Sequence, residues 1–346
     1  MHKWPATASG PPQQICSFEM TTHHYLALTG GVGGAKLALG LSRILSDDEL
    51  AFVVNTADDF EHLGLHISPD IDTLVYTLAD ENNPDTGWGR RDESWQFMSA
   101  LATLGGETWF KLGDKDLALH VERSDRLRRG TLLGQVTAEL ASALGVRHKI
   151  LPMSNDPVRT QVHTDDGQMD FQDYFVRERC DPSVTGFDYR GVATAQVNPD
   201  IHEWLGSAQL AGIILCPSNP FISIDPILSL PGLRETLQNS GVPVIAISPV
   251  VGGDCLKGPL AKMMREMSIP TTASSVAAHY RDVLDGFVLD SADESLTAEI
   301  ESMGVATTVT NTVMHSLDDR VRLAQFCLEF VASLSESECA KTVSGD

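Results

Sequence analysis

The residues best suited to chemistry in this 346-residue chain are a glycine run and the carboxylates that follow it. Gly30-Gly31-Val32-Gly33-Gly34 leads into Ala35 and Lys36, Asp58 and Asp59 stand side by side, and Asp70 and Asp72 come shortly after. Glycines bring backbone N–H groups close to an anion, and a helix N-terminus adds a favourable dipole, so Gly30, Gly31, Gly33, Gly34 and Lys36 read as a phosphate cradle. Carboxylates beside a phosphate need a hard cation between them. Mg²⁺ suits that place, taking one or two carboxylates and drawing its other ligands from phosphate and water. Asp58, Asp59 and Asp72 are the candidate metal ligands. An isolated Asp-Asp pair would otherwise serve as a cap or a solvated turn.

The spacing matches neither common phosphate motif. Lys36 is not followed by Ser or Thr, as a Walker loop requires, and Gly31-x-Gly33 lacks the third glycine of the dinucleotide fingerprint. Lys111, with Asp114 and Asp116, offers a cation beside the same ligand or, equally, an ion-paired turn. Trp88, Trp95 and Trp109 could stack a flat heterocycle, although core packing is the commoner use of Trp. His62 and His66 read as solvated, since Mg²⁺ prefers oxygen. Arg123, Arg126, Arg128 and Arg129 form a basic knot on a helical stretch.

The elements that must position these groups alternate in type. An apolar run at 25–28 precedes the glycines, and a helix with Leu37, Leu41 and Ile44 on one face follows them. A second buried strand at 50–55 ends at Asn55, and helices are expected at 74–79 and 117–145. Alternating stretches at 160–162 and 169–175 predict antiparallel strands. Further buried strands at 211–216 and 242–247 end in Ser218-Asn219 and Ser248 to Gly252, with shorter ones at 286–289 and 305–309. The last helix, 317–334, opens on a capping box of Ser316 and Asp319.

This pattern predicts a doubly wound, Rossmann-like parallel α/β sheet with an inserted smaller α+β region. The core spans 25–80 and 191–334, the insertion 81–190, and flexible segments are expected at 1–24 and 335–346. Ligands of such sheets bind outside the carboxyl ends of the strands. Asn55, Ser218, Asn219, Ser248 and Gly252 fall at those ends with the glycine run and complete a predicted nucleotide site.

The formal charge of −22, from 25 Lys and Arg against 47 Asp and Glu, argues against general binding to nucleic acid or anionic membranes. Six cysteines without a CxxC pair fit a reducing compartment. No apolar run reaches the ~18 residues of a membrane helix. A soluble cytoplasmic protein is expected.

Taken in order, several motifs resemble the 2-phospho-L-lactate transferase family. They are the glycine run through Lys36, Val54-Asn55-Thr56-Ala57-Asp58-Asp59, Ile67-Ser68-Pro69-Asp70-Ile71-Asp72-Thr73, Lys111-Leu112-Gly113-Asp114-Lys115-Asp116, Leu151-Pro152-Met153-Ser154-Asn155-Asp156-Pro157-Val158, Phe171-Gln172-Asp173-Tyr174-Phe175 and Pro217-Ser218-Asn219-Pro220. The resemblance implies transfer of a phospho-organic-acid group (phospholactate, phosphoenolpyruvate or phosphoglycerate) from a guanosine diphosphate ester to the ribityl hydroxyl of the deazaflavin FO. GMP is released and the first phosphodiester form of coenzyme F-420 is made. It implies Mg²⁺, a homodimer, a guanosine diphosphate site on the glycine run and strand ends, and Asp72 and Lys111 at the FO end. Asp59, Asp72 and Lys111 become the candidate catalytic groups, with the roles of base and metal ligand open among the carboxylates. Two other readings compete. A nucleotide-sugar-binding regulator of the gluconeogenesis type shares the glycine start but lacks need of the 67–73 and 111–116 motifs. A dehydrogenase would want the third glycine and an acidic residue where Asn55-Thr56 stands.

Overall fold

The computed structural model describes residues 23–255 and 258–344, with side chains through residue 336. The expected N-terminal extension lies outside the described residues as far as residue 22. Strand β1 (His24–Thr29) turns at Gly30 into helix α1 (Gly31–Ser42), and β2 (Leu50–Val54) leads to the hairpin β3 (Phe60–His62) and β4 (Leu65–Ile67). Helix α2 (Pro69–Leu78) begins with Pro69 in its first turn, where a missing N–H costs nothing. Asp70 and Asp72 therefore lie in the first turn of a helix, not in the loop that a start at residue 74 would give.

Helices α3 (Gln96–Thr103), α4 (Asp114–Arg128) and α5 (Leu133–Ala143) follow, so the single helical stretch expected over 117–145 is two. The break falls at Gly130, whose φ of 91° lies in the left-handed region glycine tolerates. After β5 (Lys149–Pro152) come β6 (Arg159–Thr164), β7 (Gly167–Asp170) and β8 (Val184–Arg190), a small antiparallel sheet in the order β7-β6-β8. The chain then returns to alternation with β9 (Leu210–Leu215), β10 (Val244–Ile247), the short hairpin β11 (Val250–Val251) and β12 (Asp254–Cys255), β13 (Gly286–Asp290) and β14 (Ala306–Thr310).

Seven parallel strands in the order β14-β13-β10-β9-β1-β2-β5 make the main sheet. Side chains leave each strand alternately, and both faces are covered. Leu26 and Leu28 enter one apolar core, while Tyr25 and Ala27 enter the other with α1 and the C-terminal helix. Strands covered on both sides need apolar residues throughout, which is why β2 is buried at every position. The chain winds outward in opposite directions from β1 and β9, so the switch point opens a crevice beyond their carboxyl ends, at Gly30 and Ser218.

The doubly wound fold and its inserted antiparallel region are as the sequence predicts, with three differences. Strand β5 belongs to the main sheet, pairing with β2, although it falls inside the segment assigned to the insertion. Residues after Asp170 leave extended structure for helical turns, π-helical over Asp173–Arg177. The C-terminal helix runs from Leu317 to Ser344, beyond the point where a flexible tail was expected. Its capping box is formed: Ser316 N–H donates to Asp319 Oδ2 at 2.9 Å and Asp319 N–H to Ser316 Oγ at 3.1 Å.

Two glycines of the run serve packing. A Cβ on Gly33 would overlap the backbone carbonyl of Pro217, and one on Gly34 would overlap Thr29 Oγ1 and Ser218 Oγ. The bareness of α1 lets it sit close over the β9 exit. Gly33→Ala should lower stability by about 1–3 kcal/mol, the range of overpacking against groups that cannot yield. A urea titration checks this by a lower midpoint at unchanged slope.

Candidate active site

A cavity of about 750 Å³ opens at the switch point. The first turn of α1 and the β9 exit line one part of it, with Gly30, Gly31, Gly33, Lys36, Ser218 and Asn219. Aromatic residues line another part, among them Trp88, Phe110, Phe171 and Phe175, the last two stacked with centroids 5.3 Å apart. Asp58, Asp70, Asp72 and Lys111 also line it. The strand ends and the inserted region thus share one space.

The carboxylates are buried and each is held differently. Asp59 Oδ2 accepts from Ser68 Oγ at 2.8 Å and lies 3.0 Å from His66 Nε2, while its buried Oδ1 has no partner. Asp58 accepts from Thr160 Oγ1 at 3.1 Å; burial, then the charge of Asp70, pushes its carboxyl well above the usual range. Asp70 receives Gly31 N–H at 2.8 Å and Asn55 Nδ2 at 3.0 Å, yet burial still pushes it up to about 6. An unclaimed buried carboxylate oxygen among acids driven toward protonation marks negative charge short of a counter-ion. A divalent cation fits that deficit.

Asp72 has a partner the sequence reading missed. Arg123, read only as part of a basic knot on a helical stretch, is 1% exposed and forms a two-pronged ion pair with Asp72, Nη1 to Oδ2 at 3.0 Å and Nη2 to Oδ1. Behind it, His120 Nε2 lies 3.3 Å from Asp116 Oδ2, and Tyr76 O–H donates to Asp116 Oδ1 at 2.5 Å. Burial alone would raise the Asp116 carboxyl, but His120, Tyr76 and the Arg123 charge hold it below its usual value. One signal was legible: Asp116, His120 and Arg123 share one face of α4 by spacing, as Asp72 and Tyr76 do on α2. Donor atoms of Asp72, Asp116 and His120 lie within 4.8 Å of one another, a buried set able to coordinate a divalent cation.

Of the predicted residues, Gly30, Gly31, Gly33, Lys36, Asp58, Asp72, Lys111, Ser218, Asn219 and Ser248 line the cavity. Gly34, Asn55, Asp59 and Gly252 are not among its lining residues. Asn55 spends its amide on Asp70, Ile222 O and Ala57 N–H, so it fastens β2 to the site. Gly252 N–H is taken by Asp293 Oδ2 at 2.9 Å. Lys36 Nζ donates to Met314 O at 3.0 Å. Gly30 N–H goes to Ser218 Oγ, so with Gly31 held by Asp70 the first two amides of the glycine run are already engaged. Of the two readings of Lys111, the ion-paired turn is not formed among the described residues. Asp114 instead accepts the Gln96 and Phe97 N–H groups that open α3, and Asp116 faces Tyr76 and His120. Lys111 is exposed and makes no ion pair among the described residues. His62, expected in solvent, is 4% exposed and packs edge-on against Trp109 and Phe110.

A parallel sheet whose switch point opens a cavity lined by carboxylates, aromatic rings and a glycine-rich helix start has the site of an α/β nucleotide-binding protein. The family model "2-phospho-L-lactate transferase CofD" matches residues 26–326. A 2-phospho-L-lactate transferase of Methanosarcina acetivorans is 40% identical over 314 residues, 91% of this chain and 100% of its own length. A phosphoenolpyruvate transferase of Streptomyces griseus is 36% identical over 310 residues, 88% of this chain and 97% of its own. Among solved structures, a Bacillus halodurans protein of the UPF0052 family superposes with a TM-score of 0.58 at 15% identity, covering 89% of this chain and 99% of that one. That last likeness carries the fold alone. The chain belongs to the 2-phospho-L-lactate transferase family and is a transferase. No helix among the described residues is long and apolar enough to cross a membrane.

Two outcomes follow from the buried charges. The folded value of Asp70, about 6, lies above the 3.8 of an unperturbed aspartate, so between them the native state holds a proton the unfolded chain has lost. Its stabilising effect is full at low pH and fades as pH rises through 6. In chelator, lowering the pH from 7 to 5.5 should therefore add about 1 kcal/mol through this group, and Asp70→Asn should flatten the dependence of the urea midpoint. Asp72→Asn leaves a buried guanidinium unpaired, so it should cost about 3–5 kcal/mol by the same titration, where an exposed loop would have shown little change.

Proposed function

We propose that the protein transfers the phospho-organic-acid group of a guanosine diphosphate ester to the ribityl hydroxyl of 7,8-didemethyl-8-hydroxy-5-deazariboflavin (FO), releasing GMP and forming coenzyme F-420-0. The observation that carries this reading is the single cavity shared by the strand ends and the aromatic, Lys111-bearing region. The phosphoanhydride bond between the acid-bearing phosphoryl group and GMP breaks, its electron pair leaving on GMP, and a phosphodiester bond to the ribityl oxygen forms as that hydroxyl gives up its proton, so donor and acceptor must meet in one place. The aromatic residues suit a flat tricyclic ring, and Lys111 suits an anionic group of donor or chromophore.

Mg²⁺ would be held by Asp59, through its unclaimed Oδ1, with Asp58, since Arg123 takes both oxygens of Asp72, and when bound would supply charge neutralisation at the phosphates. The chain's own groups do the rest. Ser218, Asn219 and the first turn of α1 seat the diphosphate, and a carboxylate of the cluster takes the hydroxyl proton. Asp72, with both oxygens engaged by Arg123, suits orientation of the acceptor better than proton removal. A homodimer is the assembly that goes with this reading.

Incubation with FO, Mg²⁺ and each candidate guanosine diphosphate ester, with products identified by mass, tests the reaction; no FO phosphodiester from any ester overturns it. Lys111→Met separates the acceptor end from the nucleotide end. FO affinity, read by its fluorescence, should fall about tenfold or more, as loss of a charged hydrogen bond of about 1.5–3 kcal/mol requires. Guanosine nucleotide affinity, read by calorimetry, should stay within a few-fold; the reverse pattern would place Lys111 at the phosphates.

A further inference from the structure

Arg123 is among the largest fully buried side chains of the described residues, although a guanidinium is costly to bury. It does not line the cavity, but the residues it organises do: Asp72, Tyr76, Asp116 and His120 all face that space. Its fork spans both oxygens of Asp72, and the Nη1 that meets Oδ2 also lies 3.4 Å from His120 Nδ1. His120 then reaches Asp116, and Asp116 holds Tyr76, which stands one turn beyond Asp72 on α2. These contacts join two helices, α2 and α4, and grip Asp72 by both of its oxygens. Next to Asp72 the guanidinium already supplies the positive charge that a cation among Asp72, Asp116 and His120 would bring.

We infer that Arg123 is a positioning residue, which fixes the Asp72 carboxylate by a two-pronged clamp so that it meets the deazaflavin acceptor in a single geometry. This rests on the transferase reading and adds to it a residue that touches neither substrate. Lysine keeps the charge but cannot span two oxygens, so it separates clamp from charge. Methionine removes both.

The experiment compares the parent with Arg123→Lys, Arg123→Met, Asp72→Asn and the Arg123→Met/Asp72→Asn pair, after melting curves establish which are folded. Arg123→Lys should lower kcat about tenfold or more while KM for the guanosine ester stays within about twofold. In FO titrations by fluorescence, removing Arg123 should weaken binding in the parent but change it by less than about twofold once Asp72 is already Asn, because the clamp then has nothing to hold. The paired variant buries neither charge alone and should melt above Arg123→Met, which keeps the comparison possible if that single variant unfolds. Parent-like kcat in Arg123→Lys overturns the inference, as do losses of FO affinity that multiply in the paired variant. A parent that makes no product removes the transferase reading and this role together, and is recognised from the parent alone.

Discussion

Buried negative charge is the constraint on which the site depends. Asp58, Asp59, Asp70 and Asp72 crowd the carboxyl ends of β1 and β2, all four buried, and burial drives Asp58 and Asp70 toward protonation. Three solutions coexist. Asp72 is neutralised outright by Arg123, Asp70 is stitched to Gly31 and Asn55, and Asp58 and Asp59 are left under-compensated. The last is where an incoming cation gains most. Charge is therefore apportioned: a fixed ion pair holds Asp72 in place, and a deficit is left at Asp59.

The fold makes this crowding possible. At the switch point, β1 and β9 send their chains apart, and the gap admits carboxylates from the β2 exit and from the first turn of α2. Bare glycines let α1 approach the β9 exit closely. The aromatic end comes from elements outside the parallel sheet. Phe171 and Phe175 follow the antiparallel β7, and Trp88 and Phe110 flank α3.

Much of the architecture was legible because parallel strands buried on both faces write continuous apolar runs, and each ended in a turn cluster that the sheet collects on one edge. The helix start at Pro69 was not, since its first turn is acidic and polar; only the missing donor of proline hints at it. Arg123 was misread for a reason of scale. Among neighbouring arginines its charge resembles a solvated face, and only the tertiary approach of α4 to α2 shows it inside. Gly34 and Asn55 were read as ligand contacts on residue type, whereas packing and a buried amide network claim them. Lys111 and the aromatic residues were visible as types, but their convergence with the glycine run required the fold.

The pairing of β5 with β2 bears on how such proteins can be recombined. Because the segment between α2 and β9 returns to the main sheet at Lys149–Pro152 before it builds the antiparallel unit, it is not a detachable cassette. Exchanging the whole of it between relatives would replace the sheet's edge strand along with the aromatic wall. A chimaera that grafts a new aromatic wall would need two further crossovers, one on either side of β5, so that the recipient keeps its own edge.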